Sequence, residues 1–228
     1  MIDYMRQLGG DTPAPGGPAV AVWSLDTRLD VVGGLPVAEA AQVLDAAERE
    51  QAGRKLRPAD RQQYIASHLG LRLLLGGRLG LAPGEVVLVR EDCPGCGGPH
   101  GRPAVAGGGV HFSLSHSGDV AYVALAPVPV GVDVEEVPAA QAVADVLDTL
   151  HPAETAELTA LPEADRRAAL ARVWSRKEAC LKGIGTGIGL GLVEPYVGTG
   201  PSPAPVPNWH LTDLPSPPGY AAALAVRT

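Results

Sequence analysis

A β-hairpin near the middle of the chain sets the strongest constraint on the fold. Val110, Phe112 and Leu114 alternate with polar residues, which is typical of a strand with one buried face. Residues 117–119 (Ser-Gly-Asp) predict a tight turn, and the apolar stretch 120–126 predicts the returning strand. The chain must therefore contain an antiparallel sheet, which other elements have to cover.

Helical and strand patterns lie on both sides of this hairpin. Upstream, we expect a strand over 18–25, helices over 37–53 and 58–77, and a short strand over 86–89. Downstream, we expect a strand over 130–137, helices over 138–160 and 162–182, and strand-like segments near Val193, Trp209 and Tyr220. This order of elements predicts an α+β fold.

The downstream elements repeat the order of the upstream ones after a hinge at Pro127 and Pro129. We therefore expect two similar, pseudo-duplicated halves, 18–126 and 127–228, with the active site in the cleft between them. The preceding residues 1–17 are rich in Gly and Pro and are expected to form a flexible N-terminus.

The composition excludes several classes of protein. Hydrophobic residues make up 46% and charged residues 19% of the 228 residues, which predicts a folded globular protein. The apolar runs are far shorter than the roughly 20 residues of a membrane span, and the N-terminus lacks an export signal, so we expect a cytoplasmic location without a membrane partner. A net charge of −7 disfavours nucleic acid as a partner.

Asp133 and Glu135 are two residues apart in the predicted strand 130–137 and therefore share one face of it. Two neighbouring carboxylates repel each other and need water, a cation or basic side chains to offset their charge. Taken alone, the pair is also typical of a solvated edge strand.

Trp174, Glu178 and Lys182 follow at four-residue spacing and form one stripe along a predicted helix. The stripe is also compatible with an ordinary Glu-to-Lys pair beside a core tryptophan. Lysine is rare in this chain, however, and Lys177 and Lys182 both lie in this helix. Together with Asp133 and Glu135, Glu178 would suit Mg²⁺, and the lysines would offset phosphate charge, which indicates pyrophosphate chemistry.

The segment 112–118 (Phe-Ser-Leu-Ser-His-Ser-Gly) ends the first hairpin strand with Ser115 and His116, which suit phosphate binding. A hydrolase nucleophile at Ser115 is disfavoured, because no Gly-x-Ser-x-Gly elbow surrounds any serine. A plain hairpin turn remains an alternative.

Three segments, in this order and at these separations, resemble the Sfp-type 4′-phosphopantetheinyl transferases. They are Phe112-Ser-Leu-Ser-His-Ser, Gly131-Val-Asp-Val-Glu and Trp174-Ser-Arg-Lys-Glu-Ala-Cys-Leu-Lys. The resemblance covers about residues 48–190 and implies an enzyme that transfers 4′-phosphopantetheine from coenzyme A to a serine of an apo acyl or peptidyl carrier protein. The products would be holo carrier protein and 3′,5′-ADP.

The resemblance also implies roles for individual residues. The Mg²⁺ ligands, with Mn²⁺ as a substitute metal, would be Asp133, Glu135 and Glu178. Lys182 would lie near the reacting phosphate, with Glu178 as the first choice of general base and Glu135 as its competitor. The coenzyme A contacts would be Arg54, Arg102, Ser115, His116, Lys177 and Lys182.

Several alternatives stay open at this level. A metal-dependent phosphohydrolase and a non-catalytic module that binds coenzyme A or a carrier protein are the other functions considered. The carriers could belong to fatty acid, polyketide or nonribosomal peptide synthesis, and a duplicated chain that builds its own cleft is expected to be a monomer.

Cys93, Cys96 and His100 have the sequence spacing of a partial zinc site. A tetrahedral site needs a fourth ligand, and the chain has no second Cys-x-x-Cys, so the pattern favours a tight Gly/Pro turn. Three cysteines are likewise too few for a disulfide framework.

Overall fold

The structure, a computed structural model, describes residues 2–8 and 19–228. It confirms the α+β class. The chain divides into two compact units: Met1–Val89 with Pro103–Pro127, and Arg90–Arg102 with Val128–Thr228. Among the described residues, no helix is long and apolar enough to cross a membrane.

The first unit is built on a four-stranded sheet in the order β1-β2-β8-β7. Its strands are β1 (Ile2–Gln7), β2 (Val20–Asp26), β7 (His111–Ser117) and β8 (Val120–Ala126). β1 runs parallel to β2, while β2, β8 and β7 pair antiparallel. The predicted hairpin is confirmed, with Phe112 opposite Leu125 and Ser117 opposite Val120.

Smaller elements complete the strands around this sheet. Two two-stranded sheets pair β3 with β4 and β5 with β6. Their strands are β3 (Val31–Val32), β4 (Leu35–Pro36), β5 (Leu88–Arg90) and β6 (Pro103–Val105).

Among its described residues, the first unit has two α-helices, α1 (Ala46–Arg54) and α2 (Pro58–Leu79). The predicted helix 37–53 is in fact a 3₁₀ turn, Val37–Gln42, followed by α1. The break occurs because the Asp45 carboxylate accepts the Glu48 N–H at 2.8 Å and so starts a new helix. Leucines of α2 then pack into the core against the sheet.

The expected flexible segment 1–17 instead contains a strand, β1, which pairs with β2. The Leu8 side chain is 2% exposed in the core, and its N–H donates to the Ser24 carbonyl at 2.8 Å. Burial of the Leu8 side chain removes apolar surface from water and so favours an ordered segment here. Residues 9–18 of the expected flexible stretch lie outside the described residues.

The second unit is built on an antiparallel three-stranded sheet in the order β10-β11-β9. Its strands are β9 (Val130–Glu136), β10 (Trp209–Leu214) and β11 (Tyr220–Arg227). Its helices are α3 (Ala140–Val146), α4 (Pro152–Ala160) and α5 (Glu163–Ile184), with short 3₁₀ turns at Leu147–Thr149 and Gly187–Leu190. Apolar residues of α4 and α5 form the core with the sheet.

Two predicted elements of the second unit differ in the structure. The expected helix 138–160 is divided, because His151 and Pro152 start α4 with a capping box. The expected strand near Val193 is a single bridge between Leu192 and Leu150. Residues 90–102, expected in the first half, pack with the second unit, where Arg102 donates to the Gly183 carbonyl at 2.8 Å.

Candidate functional site

A backbone contact between β9 and α5 positions the candidate site. A Cβ added to Gly131 would lie 1.9 Å from the Ala179 carbonyl oxygen and 2.5 Å from the Gly183 nitrogen, distances that no side chain can occupy. Gly131 therefore permits the helix to lie directly against the strand. Asp133 follows Gly131 by two residues on β9, and Glu178 and Lys182 flank the contact on α5.

Asp133 and Lys182 form an ion pair across this contact. The Lys182 Nζ lies 2.6 Å from Asp133 Oδ1, and the two side chains are 30% and 2% exposed. Charge-assisted hydrogen bonds of this length are among the stronger ones in proteins. The aspartate is thus buried, while the lysine remains accessible from solvent.

Glu178 lies close enough to Asp133 and Lys182 for both charges to shift the pKa of its carboxyl. Burial raises the pKa of the Glu178 carboxyl, and the Asp133 charge raises it further, while Lys182 opposes the shift. Glu135 lies two residues beyond Asp133 on β9 and is half-buried. The structure therefore brings Asp133, Glu178 and Lys182 together and places Glu135 next along the strand.

The fit of this acid set to a divalent cation rests on its chemistry. Carboxylate oxygens are the protein ligands that Mg²⁺ prefers, and after burial the Asp133 charge contributes to the raised pKa of Glu178, so the two acids repel each other. Among the residues that the structure describes, the carboxylate oxygens of Asp133, Glu135 and Glu178 do not all lie within 4.8 Å of one another. A shared cation would thus draw the side chains closer together.

An apolar cavity of about 180 Å³ adjoins this site within the second unit. Glu135 lines it together with Pro138, Val146, Leu170 and Trp174. Trp174 is thus part of the cavity wall, one turn of α5 before Glu178. The predicted stripe of Trp174, Glu178 and Lys182 follows one side of the helix from the cavity to the ion pair.

The prediction that Lys177 contacts phosphate is not supported by its position. Its side chain is 0% exposed, and its Nζ lies 2.8 Å from Glu154 Oε2, whose side chain is also fully buried. The same ammonium donates to the carbonyls of Val193 and Pro195 at 3.2 and 2.7 Å. Three partners use all three N–H groups, so Lys177 holds the residues after α5 in place.

The predicted arginines lie in different units. Arg102 belongs to the second, where it pairs with Glu91 at 2.7 Å and donates to the Gly183 carbonyl near the end of α5. Arg54 lies in the last turn of α1 in the first unit and pairs with Glu50 at 2.6 Å on the exposed surface. Their roles toward coenzyme A stay predictions.

Ser115 and His116 lie near the end of β7 in the first unit. Ser115 is 6% exposed and pairs in register with Tyr122, while His116 is half-buried opposite Ala121. Successive strand residues point to opposite faces, so the two side chains diverge. Their assignment to coenzyme A also stays a prediction.

Sequence reasoning missed two residues that support the site. Glu154 neutralises Lys177, and Asp213 on β10 pairs with the fully buried Arg176 of α5 at 2.6 Å. No spacing rule links positions so far apart along the chain. The available signal was that Arg176 and Lys177 occur where a helix packed on a sheet must bury side chains.

The region that contains the acid cluster matches a known protein family. The family model described as the 4′-phosphopantetheinyl transferase superfamily matches residues 129–225, the part that contains β9 and α5. The 4′-phosphopantetheinyl transferase HetI of Nostoc sp. is 32% identical over 192 residues, which cover 82% of this chain and 79% of the relative.

Two further relatives carry the same description. A putative 4′-phosphopantetheinyl transferase of Synechocystis sp. is 26% identical over 77% of this chain and 68% of its own length. The transferase psf-1 of Bacillus pumilus is 40% identical over 36% of this chain and 35% of its own length. The fold, the acid and lysine cluster and these relatives define a group-transfer enzyme. The chain belongs to the 4′-phosphopantetheinyl transferase superfamily.

Proposed function

We propose that this chain transfers the 4′-phosphopantetheine group of coenzyme A to a serine of an apo acyl or peptidyl carrier protein. The other products are 3′,5′-ADP and the proton of the serine hydroxyl. The observation that carries the proposal is the cluster of Asp133, Glu178 and Lys182 across β9 and α5, inside the region that matches the family model.

Asp133, Glu135 and Glu178 would hold the divalent cation. Bound there, Mg²⁺ or Mn²⁺ would supply positive charge to the pyrophosphate and to the leaving 3′,5′-ADP. Because Asp133 is buried, bulk water does not compete with the cation for its carboxylate. The raised pKa of Glu178 supports the same assignment, because a cation would relieve the repulsion between the two acids.

Lys182 would move from Asp133 toward the phosphate undergoing transfer. Its side chain is 30% exposed and lies beside a buried carboxylate, so it can exchange one anionic partner for another. A lysine ammonium suits this task because it is a compact charge on a flexible stem. Lys177 has no part in this step, since its ammonium is enclosed by Glu154 and two carbonyls.

Glu178 is the first candidate to accept the proton of the attacking serine, and Glu135 is the second. A carboxylate within reach of the serine hydroxyl can accept its proton directly, which favours Glu178 beside the reacting phosphate. Glu135 lines the apolar cavity and could receive the proton through a water molecule.

Binding of coenzyme A would extend to residues outside the acid cluster. Arg102 offers a guanidinium beside the end of α5 and would pair with phosphate after it leaves Glu91. Ser115, His116 and Arg54 are proposed for the nucleotide end. The predicted cleft between the halves stays a prediction.

The decisive experiment incubates the chain with coenzyme A, Mg²⁺ and an apo carrier protein and follows the intact mass of the carrier. Transfer adds one phosphopantetheine to the carrier serine. We expect Asp133→Ala to abolish this gain at any Mg²⁺ concentration, while Glu136→Gln, the exposed neighbour of Glu135 on β9, retains it. Near-normal transfer by Asp133→Ala would reject the metal assignment.

Parallel reactions without a carrier separate the alternatives. A phosphohydrolase would release 4′-phosphopantetheine and 3′,5′-ADP into solution, and a binding module would leave coenzyme A intact. No mass gain with acyl carriers and peptidyl carriers alike would reject the proposed transfer.

A further inference from the structure

The segment from Cys93 to His100 in the second unit folds into a tight turn stabilised by its own backbone. The Cys93 N–H donates to the Gly98 carbonyl at 2.7 Å, and the Gly97 N–H donates to the Cys93 carbonyl at 2.7 Å. Gly97 adopts a φ of +72°, a conformation that favours glycine. The turn brings both cysteines and the histidine to one side.

The three side chains present their ligand atoms to a common point. The two sulfurs and an imidazole nitrogen all lie within 4.8 Å of one another, and Cys96 Sγ lies 2.9 Å from His100 Nε2. A tetrahedral zinc ion with Zn–S of about 2.3 Å and Zn–N of about 2.0 Å holds such atoms roughly 3.5 Å apart. The observed group needs only a small expansion to reach that spacing.

The surrounding backbone matches what a thiolate pair requires. The N–H groups of Gly95 and Cys96 donate to the Cys93 sulfur, and the Gly98 N–H donates to Cys96 Sγ at 3.4 Å. Donors aimed at sulfur stabilise the thiolate form that binds metal. A Cβ at Gly98 would lie 3.2 Å from His100 Nε2 and 3.4 Å from Cys96 Sγ, so glycine keeps the centre of the group clear.

We propose that Cys93, Cys96 and His100 bind one Zn²⁺ ion, with a solvent molecule as the fourth ligand. Two thiolates and an imidazole are a ligand set typical of zinc, and three protein ligands with one open position are a known arrangement. Each thiol that binds releases its proton to solvent. Water thereby supplies the fourth ligand, whose absence from the sequence favoured a plain turn.

The turn packs against the end of α5. Pro94 lies 3.7 Å from the position of a Cβ on Gly185, the residue that ends α5, and Arg102 follows the turn directly. Arg102 in turn donates to the Gly183 carbonyl. Zinc would thus fix the turn that packs against the end of α5, the helix that carries Glu178 and Lys182.

The test measures metal on the full chain after removal of any purification tag. Reduced protein is stripped with a chelator and titrated with Zn²⁺ against a chromophoric competitor, and Co²⁺ is added separately to detect thiolate-to-cobalt charge transfer. We expect one equivalent of Zn²⁺ and a charge-transfer band that Cys93→Ser and Cys96→Ser each weaken and that the double variant loses. His100→Ala should weaken binding by more than the roughly 10–100-fold typical of an outer-shell change.

Matched controls use residues outside the turn. Cys180→Ala changes a buried cysteine of α5, and His210→Ala changes an exposed histidine of β10, so both should bind zinc like the wild type. Hydrogen exchange should slow in residues 90–102 when zinc is added to the wild type, and Cys96→Ser should lose this protection.

Three results would overturn the proposal. They are less than stoichiometric zinc on reduced wild-type protein, equal affinity in Cys96→Ser and wild type, and a Cys93–Cys96 disulfide that re-forms in preference to metal uptake. None of these measurements uses the transfer assay, so their failure leaves the proposed function standing.

Discussion

Helices α2 and α5 have the same length and similar ends, yet their charged residues serve different purposes. Each has 22 residues and stops at a glycine in the left-handed conformation, Gly80 or Gly185. In α2 the fully buried Arg72 pairs with Glu48 at 2.6 Å and with Asp45 at 2.7 Å. Glu48 belongs to α1 and Asp45 caps it, so the buried Arg72 holds α1 to α2.

Helix α5 contains charges of both kinds. Arg176 and Lys177 are fully buried cations that pair with Asp213 and Glu154, as Arg72 pairs with acids in α2. Glu178 and Lys182 are instead partly exposed, beside an aspartate that is nearly inaccessible. The comparison teaches that a fully buried cation paired with acids marks a structural charge, while an accessible lysine beside a buried acid marks a charge available for chemistry.

The largest expected effect comes from breaking a structural charge of α5. Lys177→Met leaves the Glu154 carboxylate buried without its counter-charge, which we expect to lower the free energy of unfolding by about 3–5 kcal/mol. Denaturant unfolding measures the change. The fraction that remains folded should keep wild-type kcat/KM, and a stable variant that loses transfer would return Lys177 to the phosphate site.

Lys182, on the same helix, should show the opposite result, with a large loss of activity and a smaller loss of stability. Lys182→Met should lower kcat by about 100- to 1,000-fold, because a positive charge that stabilises the transition state is lost. Its effect on the free energy of unfolding should be smaller than that of Lys177→Met, because Lys182 is 30% exposed and water can take its place beside Asp133. Steady-state kinetics with a carrier protein test this, and unchanged kcat would remove Lys182 from the reaction.

The contact that joins the strand to α5 can be tested with a pair of glycines. Gly131→Ala places a Cβ against the Ala179 carbonyl and should destabilise the protein by about 3 kcal/mol or more. Gly53→Ala is the control, because nothing lies within 4 Å of a Cβ there and alanine favours the helix by up to about 1 kcal/mol. Thermal unfolding that ranks the two variants equally would contradict the backbone contact.

The smallest expected effect concerns pH and the structural charges of the first unit. Burial alone would raise the pKa of Glu48, but hydrogen bonds from His68 and the Asp45 N–H, with the Arg72 charge, lower it below its ordinary 4.5. A lowered pKa in the folded state stabilises the fold above the unfolded pKa, and this contribution is lost as the pH falls through the folded value.

Comparison of wild type with Glu48→Gln isolates this contribution. At pH 7 the variant should be less stable by about 1.5–3 kcal/mol, the usual value of hydrogen bonds to a charged group. The difference should shrink as the pH falls below about 4.5, where the unfolded carboxylate is protonated. Urea unfolding at several pH values measures it, and a gap that stays constant down to pH 3 would show that the charge of Glu48 is not responsible.

Local patterns predicted the elements that depend on neighbouring residues. Alternation at Val110, Phe112 and Leu114 located the hairpin, and four-residue spacing placed Glu178 and Lys182 on one side of α5. Lys177 was expected beside Lys182, but five residues on a helix correspond to about 140° of rotation, which puts the two lysines on different sides of α5. The partner of Lys177, Glu154, lies 23 positions away on another helix, and only packing brings the two together.

The turn at Cys93 also shows that sequence spacing alone does not establish which side chains meet. Its spacing suggested a metal but could not establish whether His100 folds back onto the cysteines. That depends on the left-handed conformation of Gly97 and on hydrogen bonds between Cys93 and the two glycines that follow Cys96.

The backbone contact at Gly131 has a consequence for how the enzyme loses activity. Asp133 and Glu178 are held by a strand and a helix whose main chains touch, with no loop between them to loosen first. The acid cluster should therefore have no melting transition of its own. In a urea titration, transfer activity and the helical signal of the second unit should disappear in a single cooperative step.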